Sequence, residues 1–236
     1  MLSRPRLAAV AAAAATLALL LVAASLLGAR GGDGGGAATG AAVFGASEVE
    51  QLLTGIPQEG SVLGEPDAPV TLVEYADLQC PFCAQWAVGT FRELVSDYVR
   101  AGQLRIEFRG MAFIGPDSER ALRAALAAGE QNRLWHALEL LYMNQGAENA
   151  GWVSDDLLDG IGRSVPGLDG ERMLSATGSD SVTEAMARSA EQARAAGVQG
   201  TPSFEMGPTG GTLAPLEITS LNAAEFRAAI DALLAG

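Results

Sequence analysis

The sequence predicts an α/β fold that is interrupted by a long helical block. Residues 70–76 form a β-branched, apolar run, and an amphipathic helix to about residue 100 and an alternating strand at 103–109 follow it. Residues 117–196 carry helical patterns throughout, and two strand-like segments and a last helix come after them. This order predicts a right-handed parallel β-α-β crossover, an all-helical insertion at about 115–197, and a closing β-β-α unit.

The composition excludes several functional classes. All 15 cationic residues are arginine, and with 28 acidic residues they give a net charge of −13 over 236 residues. A chain without lysine has no phosphate-binding P-loop, no protein-kinase lysine and no Schiff-base lysine. Two cysteines and one histidine are too few for a four-ligand zinc site of the usual kind. The acidic balance also disfavours nucleic acid as a partner.

The N-terminal residues have the pattern of a membrane signal. Arg4 and Arg6 precede an uncharged, apolar run at 7–29, which is longer than the roughly 20 residues that a spanning helix needs. We therefore expect a signal-anchor over residues 1–29 with its N-terminus in the cytoplasm, a Gly-rich linker over 30–46, and a folded domain over 47–236. A cleaved signal peptide is the alternative, because the run is rich in alanine and ends in small residues; it would give a secreted form.

Local signals place the helices of the domain. Residues 47–53 predict a short helix before the first strand. Within the helical block, breaks at glycine and polar residues separate five segments. These segments are residues 118–128, 132–145, 154–163, 169–176 and 181–196. We expect the acidic residues of these helices to form a solvated surface.

The C-terminal part predicts two strands and a helix. Residues 198–206 read as a turn and a short strand, and residues 212–219 as a weak strand. Pro215 lies in the weak strand and makes it a candidate edge strand, because proline has no N–H to donate to a neighbour. Asn222 and Glu225 resemble a capping box that begins a last helix.

The segment Cys80-Pro81-Phe82-Cys83 opens the first long helix directly after the buried strand. If Cys80 is the N-cap, Pro81 occupies the first helical position, where its missing N–H costs nothing. The Cys80 sulfur then faces the free N–H groups and the positive end of the helix dipole, which lower the pKa of its thiol. Cys83 lies one turn later, is more enclosed, and is close enough to form a disulfide with Cys80. The pattern predicts a redox-active pair.

Three roles without redox chemistry compete for the two cysteines. A structural disulfide would close a loop of only four residues and would add little stability. A metal site would lack its remaining ligands, and two incidental core cysteines would not account for the proline between a strand and a helix. Redox chemistry is therefore the favoured interpretation.

These residues resemble the DsbA family of thiol-disulfide oxidoreductases, which have a thioredoxin-like fold interrupted by a helical domain. The resemblance runs from about residue 55 to residue 236, and it is most specific at residues 63–70, 74–83 and 197–204. It implies that Pro202 is a cis-proline facing the disulfide, with Thr201 before it. It also implies that the backbone beside Pro202 pairs with an extended substrate peptide. The expected substrate contacts are therefore Thr201 and Pro202 in this loop, and Pro81 and Phe82 between the two cysteines.

Glu74 lies six residues before Cys80 on the strand that we expect to be buried. Burial would raise the pKa of its carboxyl, which could then take the proton when Cys83 becomes a nucleophile. The resemblance also implies a buried acid at this position. The alternative is an inert, hydrogen-bonded carboxylate. Asp77 lies nearer the loop and is expected to cap a turn.

The sequence departs from the best-known members of the family between the two cysteines. It has Pro-Phe where they have Pro-His. A histidine there would stabilise the Cys80 thiolate by its charge, and Phe82 cannot do so. We therefore expect a less oxidising disulfide than in the strongest oxidants, and an apolar rim suited to unfolded polypeptide.

The remaining conspicuous side chains are expected to be structural. His136 is predicted to lie away from the apolar stripe of its helix, at the surface or in a local hydrogen bond. Trp86, Trp135 and Trp152 are predicted to belong to the core.

Together these features predict an extracytoplasmic, membrane-anchored thiol-disulfide oxidoreductase. It would form, reduce or isomerise disulfides in exported, unfolded or partly folded proteins, and the direction stays open. We expect a monomer with a membrane redox partner and with no cofactor or metal beyond the Cys80–Cys83 disulfide. Two alternatives are a non-catalytic thioredoxin-fold binding module and an accessory protein that passes electrons to one dedicated membrane partner.

Overall fold

A computed structural model of the chain describes residues 43–236 and contains a six-stranded mixed sheet with helices on both faces. The predicted signal-anchor at 1–29 and most of the predicted linker at 30–46 lie outside the described residues. None of the helices that the structure describes is both long enough and apolar enough to cross a bilayer.

Two parallel strands form the centre of the sheet. Strand β3 (Val70–Asp77) is buried along its whole length, and β4 (Leu104–Met111) alternates between buried and half-buried residues. This difference follows from the sequence, because the β3 segment is apolar on both faces and the β4 segment is apolar on one. Strand β5 (Ser203–Pro208) pairs antiparallel with the other side of β3. After the helical insertion, the chain therefore returns to the sheet beside β3.

Short strands complete the edges of the sheet in the order β1-β2-β4-β3-β5-β6. Strands β1 (Gln58–Glu59) and β2 (Val62–Leu63) form a hairpin whose second strand pairs with β4. Strand β6 (Ala214–Pro215) pairs with β5 at the opposite edge. The weak strand predicted at 212–219 is reduced to these two residues, and its predicted edge position is confirmed.

Helix α1 (Ala46–Leu53) precedes the sheet, and helix α2 follows β3 as one continuous helix over residues 81–99. Helix α2 alternates between α-helical and wider π-helical turns. Its segments are Pro81–Trp86 (α), Ala87–Phe91 (π), Arg92–Leu94 (α) and Val95–Val99 (π). A π turn adds a residue per turn and so rotates the buried face of the helix.

Five helices between β4 and β5 form the insertion, and each agrees with its prediction to within two residues at either end. They are α3 (Pro116–Gly129), α4 (Leu134–Met143), α5 (Asp155–Ser164), α6 (Gly170–Ala176) and α7 (Asp180–Ala195). Helices α5, α6 and α7 begin at Ser154, Asp169 and Ser179, and each of these side chains accepts a backbone N–H three residues later. The predicted α/β class with an all-helical insertion is confirmed.

The last helix, α8 (Ala223–Leu234), begins as predicted at Asn222, whose side chain accepts the N–H of Ala224. The predicted capping box is wrong in its second half. Glu225 does not return to Asn222, because its carboxylate accepts the backbone N–H of Thr219 at 2.7 Å and the Thr219 hydroxyl at 2.8 Å. Glu225 therefore fixes the loop before the helix.

One hydrophobic core joins the sheet to the insertion. Trp86 and Trp135 are fully buried, as predicted, whereas Trp152 is half-buried and packs at the edge of the core. The Trp135 ring stacks on Phe91 of α2 with 5.2 Å between ring centroids. Trp86 packs against Phe204 of β5, also with 5.2 Å between ring centroids but with the rings tilted. Aromatic rings therefore connect α2 to α4 on one side and to β5 on the other.

His136 is buried, so the surface position offered as one alternative is wrong, although it lies away from the apolar stripe of its helix as predicted. Helix α1 and the β1 segment cover this side of α4, so the histidine is enclosed by polar partners rather than by solvent. Its Nδ1 lies 3.1 Å from Nε2 of Gln58, and its Nε2 lies 3.3 Å from Oε2 of Glu50. It is a local hydrogen-bonding residue, as the other half of the prediction stated.

Helices α5 and α6 approach each other through glycine. A Cβ on Gly162 would lie 2.7 Å from Cα of Gly170, and a Cβ on Gly170 would lie 3.0 Å from Cα of Gly162. Both obstacles are backbone atoms, which cannot move aside as a flexible side chain can. The close packing of these two helices therefore requires glycine at both positions.

We predict that Gly162→Ala lowers the free energy of unfolding by about 1–3 kcal/mol, because the added methyl group forces the two helices apart. Urea unfolding measures this change. Gly178→Ala is the matched control, since a Cβ there meets no atom within 4 Å. Equal stability of the two variants would show that the crossing tolerates a side chain.

Candidate functional site

The two cysteines lie at the start of α2, where the sequence places them. Cys80 is the N-cap with extended backbone angles (φ −70°, ψ 120°), and Pro81 is the first helical residue. The Cys80 N–H donates to the carbonyl of Asp77 at 3.0 Å, and the Cys80 carbonyl accepts the N–H of Ala84 at 3.1 Å. The first turn of the helix is therefore fixed directly to the end of β3.

The environment of Cys80 favours its thiolate. Hydrogen bonds from the Cys83 thiol, from the Thr201 side chain and from the backbone N–H groups of Cys83 and Phe82 outweigh the effect of burial, and they lower the pKa of Cys80 to about 6. In the thiol form, Sγ of Cys80 donates to the carbonyl oxygen of Thr201 at 3.3 Å. The predicted role of the helix N-terminus is present here, but the hydrogen bond from Cys83 contributes most.

Cys83 has the opposite properties. Its side chain is fully buried, and both cysteines are free thiols in this structure. Burial raises the pKa of Cys83 well above its usual value, and the hydrogen bond that it gives to Cys80 and the charge of Glu74 raise it further. The pair therefore combines an outer sulfur that ionises readily with an inner sulfur that keeps its proton.

The loop before β5 lies against the outer sulfur. The Thr201–Pro202 peptide bond is cis, as the family resemblance implies. A groove of about 440 Å³ continues from this loop along β5 and the β6 edge. Its lining includes Gly200, Pro202, Phe204, Leu216 and Ile218. The structure thus brings Thr201 and Pro202 to Cys80 from a distant part of the sequence.

Glu74 is 1% exposed and lies on the face of β3 that is buried beneath α2 and the insertion. Burial raises the pKa of its carboxyl well above the usual range, and the charges of Glu139 and Cys80 add to this effect. Its Oε1 atom has no hydrogen-bond partner. The side chain is therefore a buried acid that interacts with the thiol pair, and it lacks the full set of hydrogen bonds expected of an inert carboxylate.

Two further buried groups lie beside Glu74 and were not predicted from the sequence. Glu139 on α4 is fully buried, and burial raises its pKa to about 8 although the charge of Arg92 opposes this. Tyr142, one turn later, is buried with an unpaired hydroxyl and interacts with Cys83 and Glu74. The expectation of a solvated acidic surface is therefore wrong at Glu139, and also at Asp117 of α3, which is buried and accepts the N–H of Gly151 at 2.8 Å. The sequence does contain an indication that Glu139 is buried, because it is the one acidic residue within the apolar segment 134–142.

Asp77 fixes the loop that carries the cysteines. Its Oδ1 accepts the N–H of Gln79 at 2.9 Å and the hydroxyl of Ser118 at 2.6 Å. Its Oδ2 accepts the N–H groups of Phe113 and Ile114 at 3.0 and 3.2 Å. The expected turn cap is confirmed, and the same carboxylate also holds the chain that leads from β4 into the insertion.

The insertion also contacts the cysteine loop directly. Nε2 of Gln145, just after α4, donates to the carbonyls of Leu78 at 2.8 Å and Cys80 at 3.2 Å. Nε2 of Gln79 donates to Oδ1 of Asn149 at 3.0 Å. These bonds place the helical insertion over one side of the thiols, while Phe82 is 61% exposed on the open side.

Comparisons with known proteins agree with this geometry. The sequence model of a family described as "Thioredoxin" matches residues 57–232. A protein named "Probable disulfide bond formation protein D" from Bacillus cereus is 32% identical over 60% of this chain and 67% of its own length. The protein of the same name from Bacillus anthracis is 30% identical over 69% of this chain and 75% of its own length.

The crystal structure of oxidised BdbD from Bacillus subtilis has the same fold. It superposes with a TM-score of 0.65 at 22% identity, covering 77% of this chain and 98% of that one. The predicted thioredoxin-like fold with a helical insertion is confirmed by this match.

We predict that Cys83→Ala raises the pKa of Cys80 above about 6, because the Cys83 hydrogen bond is the largest of the causes that lower it. Thiolate absorbance of the reduced protein against pH gives the value. Thr201→Val is the matched comparison, since it removes a weaker hydrogen bond and should raise the pKa less. An unchanged pKa in Cys83→Ala would contradict the assignment of the main stabilising interaction.

Proposed function

Because the chain belongs to the DsbA-like family of thioredoxin-fold proteins and is a thiol-disulfide oxidoreductase, we propose that it oxidises exported proteins through the Cys80–Cys83 disulfide. The observation that carries this proposal is the difference in pKa between the two thiols, because the pKa is lowered at Cys80 and raised at Cys83. A low pKa at Cys80 stabilises the reduced pair and makes its sulfur a good leaving group, and both effects favour transfer of the disulfide to substrate.

The reaction has two exchange steps. A substrate thiolate attacks Sγ of Cys80, the Cys80–Cys83 bond breaks, and Cys83 leaves as a thiolate that takes a proton from Glu74. The second thiolate of the substrate then attacks its own sulfur in the mixed disulfide, which releases Cys80 as a stabilised thiolate. Two electrons pass from the substrate to the protein, so the oxidised pair must be restored by a separate oxidant. We propose a membrane redox partner for that role, and no further cofactor or metal.

The surroundings of Cys80 suit an extended, unfolded polypeptide. Gly200 and Pro202, on either side of Thr201, line the groove along β5, where an added strand could pair with main-chain groups. The exposed rings of Phe82 and Phe113, at 61% and 57% exposure, offer apolar contacts. Substrates would therefore be recognised by extended backbone and apolar side chains.

The proposed location is outside the cytoplasm. It is supported by the apolar run at residues 7–29 after Arg4 and Arg6, and by the chemistry, because disulfides persist in oxidising compartments. The N-terminal run would anchor the monomeric domain to the membrane, and its cleavage would release the domain.

We predict that Cys83→Ala accumulates mixed disulfides with exported proteins in cells, because the inner thiol that could resolve them is absent. Nonreducing gels followed by identification of the trapped proteins measure this. Cys80→Ala is the matched control and should trap none. Absence of mixed disulfides in Cys83→Ala would favour a non-catalytic binding module, and a single trapped membrane protein would favour dedicated electron transfer.

We predict a reduction potential between about −270 and about −120 mV, the range between thioredoxin and the strongest oxidants. The reason is that the pKa of Cys80, about 6, lies between the values of about 7 and about 3.5 found in those proteins. Glutathione redox titration gives the potential.

Phe82→His should make the disulfide more oxidising, because a protonated imidazole would stabilise the Cys80 thiolate. Phe113→His is the control, since it alters a similarly exposed ring outside the cysteine pair. A wild-type potential as high as about −120 mV, or no change in Phe82→His, would overturn this account of the potential.

A further inference from the structure

We propose that Glu139 of the helical insertion resupplies the proton that Glu74 gives to Cys83, so that the two carboxyls form a relay between the buried thiol and solvent. This inference rests on the proposed function and adds a residue to it. Glu139 acts on Cys83 through Glu74 and is therefore a positioning residue rather than a catalytic one.

The relay is supported first by the unpaired polar atoms at the interface between sheet and insertion. Oε1 of Glu74 on β3, Oε2 of Glu139 on α4 and the hydroxyl of Tyr142 are all buried without a hydrogen-bond partner. Glu139 and Tyr142 are three residues apart and share one face of α4. Other buried atoms of the described residues also lack a partner, among them the indole N–H groups of Trp86 and Trp135. The three atoms named here differ from those in belonging to groups that can gain and lose a proton beside the thiol pair, and this is why we assign them to the relay.

The two carboxyls are also electrostatically linked. The charge of Glu139 is, after burial, the largest cause that raises the pKa of Glu74. Two carboxylates in a dry interior cannot both be ionised without a large cost, so a charge on one of them favours a proton on the other. The protonation states of the two carboxyls are therefore coupled, and the relay takes Glu139 as the source of the proton that replaces the one leaving Glu74.

Arg92 makes Glu139 the end of the relay that can carry a charge. Nε of Arg92 lies 3.7 Å from Oε2 of Glu139, and a quarter of the Arg92 side chain is exposed. Its charge lowers the pKa of Glu139, which burial nevertheless keeps at about 8. The Glu139 carboxylate is thus stabilised next to the partly solvated Arg92, whereas the Glu74 carboxylate has no such partner.

Among the described residues, no other charged group stabilises the Glu139 carboxylate as Arg92 does. Helix α1 contributes Glu50, which pairs with His136 on another face of α4. Helix α3 packs on α4 through buried alanine and leucine side chains, and its buried acid, Asp117, accepts the N–H of Gly151. The titratable groups facing the relay are therefore Arg92 from α2, Glu74 from β3, Asp77 at the end of β3, whose charge acts on Tyr142, Tyr142 from α4 itself, and the two thiols.

The proton steps balance in either direction. When substrate opens the disulfide, the Cys83 thiolate takes a proton from Glu74, and the Glu74 carboxylate takes one from Glu139. The Glu139 carboxylate, beside Arg92, then takes a proton from solvent. When the disulfide forms again, the Cys83 proton leaves along the same groups in reverse order.

The test is the rate at which dithiothreitol reduces the oxidised full-length protein, followed by stopped flow on both sides of pH 8. We expect wild type to be roughly tenfold faster than Glu139→Gln below this pH, a smaller effect than the ~10² of a group that transfers the proton directly. The ratio should fall to one as pH rises through about 8, because Glu139 then has no proton to give. Ionisation of the probe cancels in this ratio.

Two further variants keep the result interpretable. Glu184→Gln removes an exposed acid on α7 and should equal wild type at every pH. Arg92→Gln removes the charge that lowers the pKa of Glu139. Its rate, divided by the fraction of dithiothreitol that is ionised, should therefore fall off at a higher pH than the wild-type rate treated in the same way, and this readout does not depend on the folding of Glu139→Gln.

The outcomes separate the two proposals. A wild-type to Glu139→Gln ratio that is the same at every pH, or an unshifted fall in Arg92→Gln, would overturn the relay and leave the redox function intact. Failure of the wild-type cysteines to form a disulfide that dithiothreitol reduces would overturn the proposed function itself.

Discussion

The carboxylate of Asp77 is the point at which the sheet, the cysteine loop and the insertion are joined. It ends the buried strand β3, and its two oxygens accept four hydrogen bonds, from Gln79, Ser118, Phe113 and Ile114. Charge-assisted hydrogen bonds inside a protein are both strong and directional. The first turn of α2 is therefore held in one position relative to the helical insertion, and this position fixes the surroundings of both thiols.

The fixed position gives two chemically similar sulfurs different tasks. Cys80 lies where N–H groups and the Thr201 loop meet, and Cys83 lies one turn deeper in an apolar interior. Each sulfur also modifies the other, since the same hydrogen bond lowers the pKa of Cys80 and raises that of Cys83. The difference in reactivity thus comes from depth within the fold, and a helix that could rock on the sheet would not maintain it.

Local sequence patterns are sufficient for most of the fold and for half of the site. The apolar run at 70–76, the proline after Cys80 and the caps of the insertion helices each specify a structure within a few residues of themselves. Contacts between distant segments are not predictable in this way. Helical periodicity identifies one buried face and so places His136 and Glu139 at the surface, whereas α4 is enclosed by α1, α2 and α3 and is buried almost all round.

The absence of lysine acquires a physical meaning at Arg92. A lysine amine in such a half-buried position can lose its proton, because its pKa falls on burial, whereas a guanidinium stays charged at every pH that a protein meets. The positive charge beside Glu139 is therefore supplied by a guanidinium, and the proton transfers proposed for the relay take place at the carboxyls of Glu74 and Glu139 and at the Cys83 sulfur. Under the proposed relay, reduction of the disulfide is accompanied by proton uptake through these two acids, so that the redox state of the pair is linked to the charge of the buried interior.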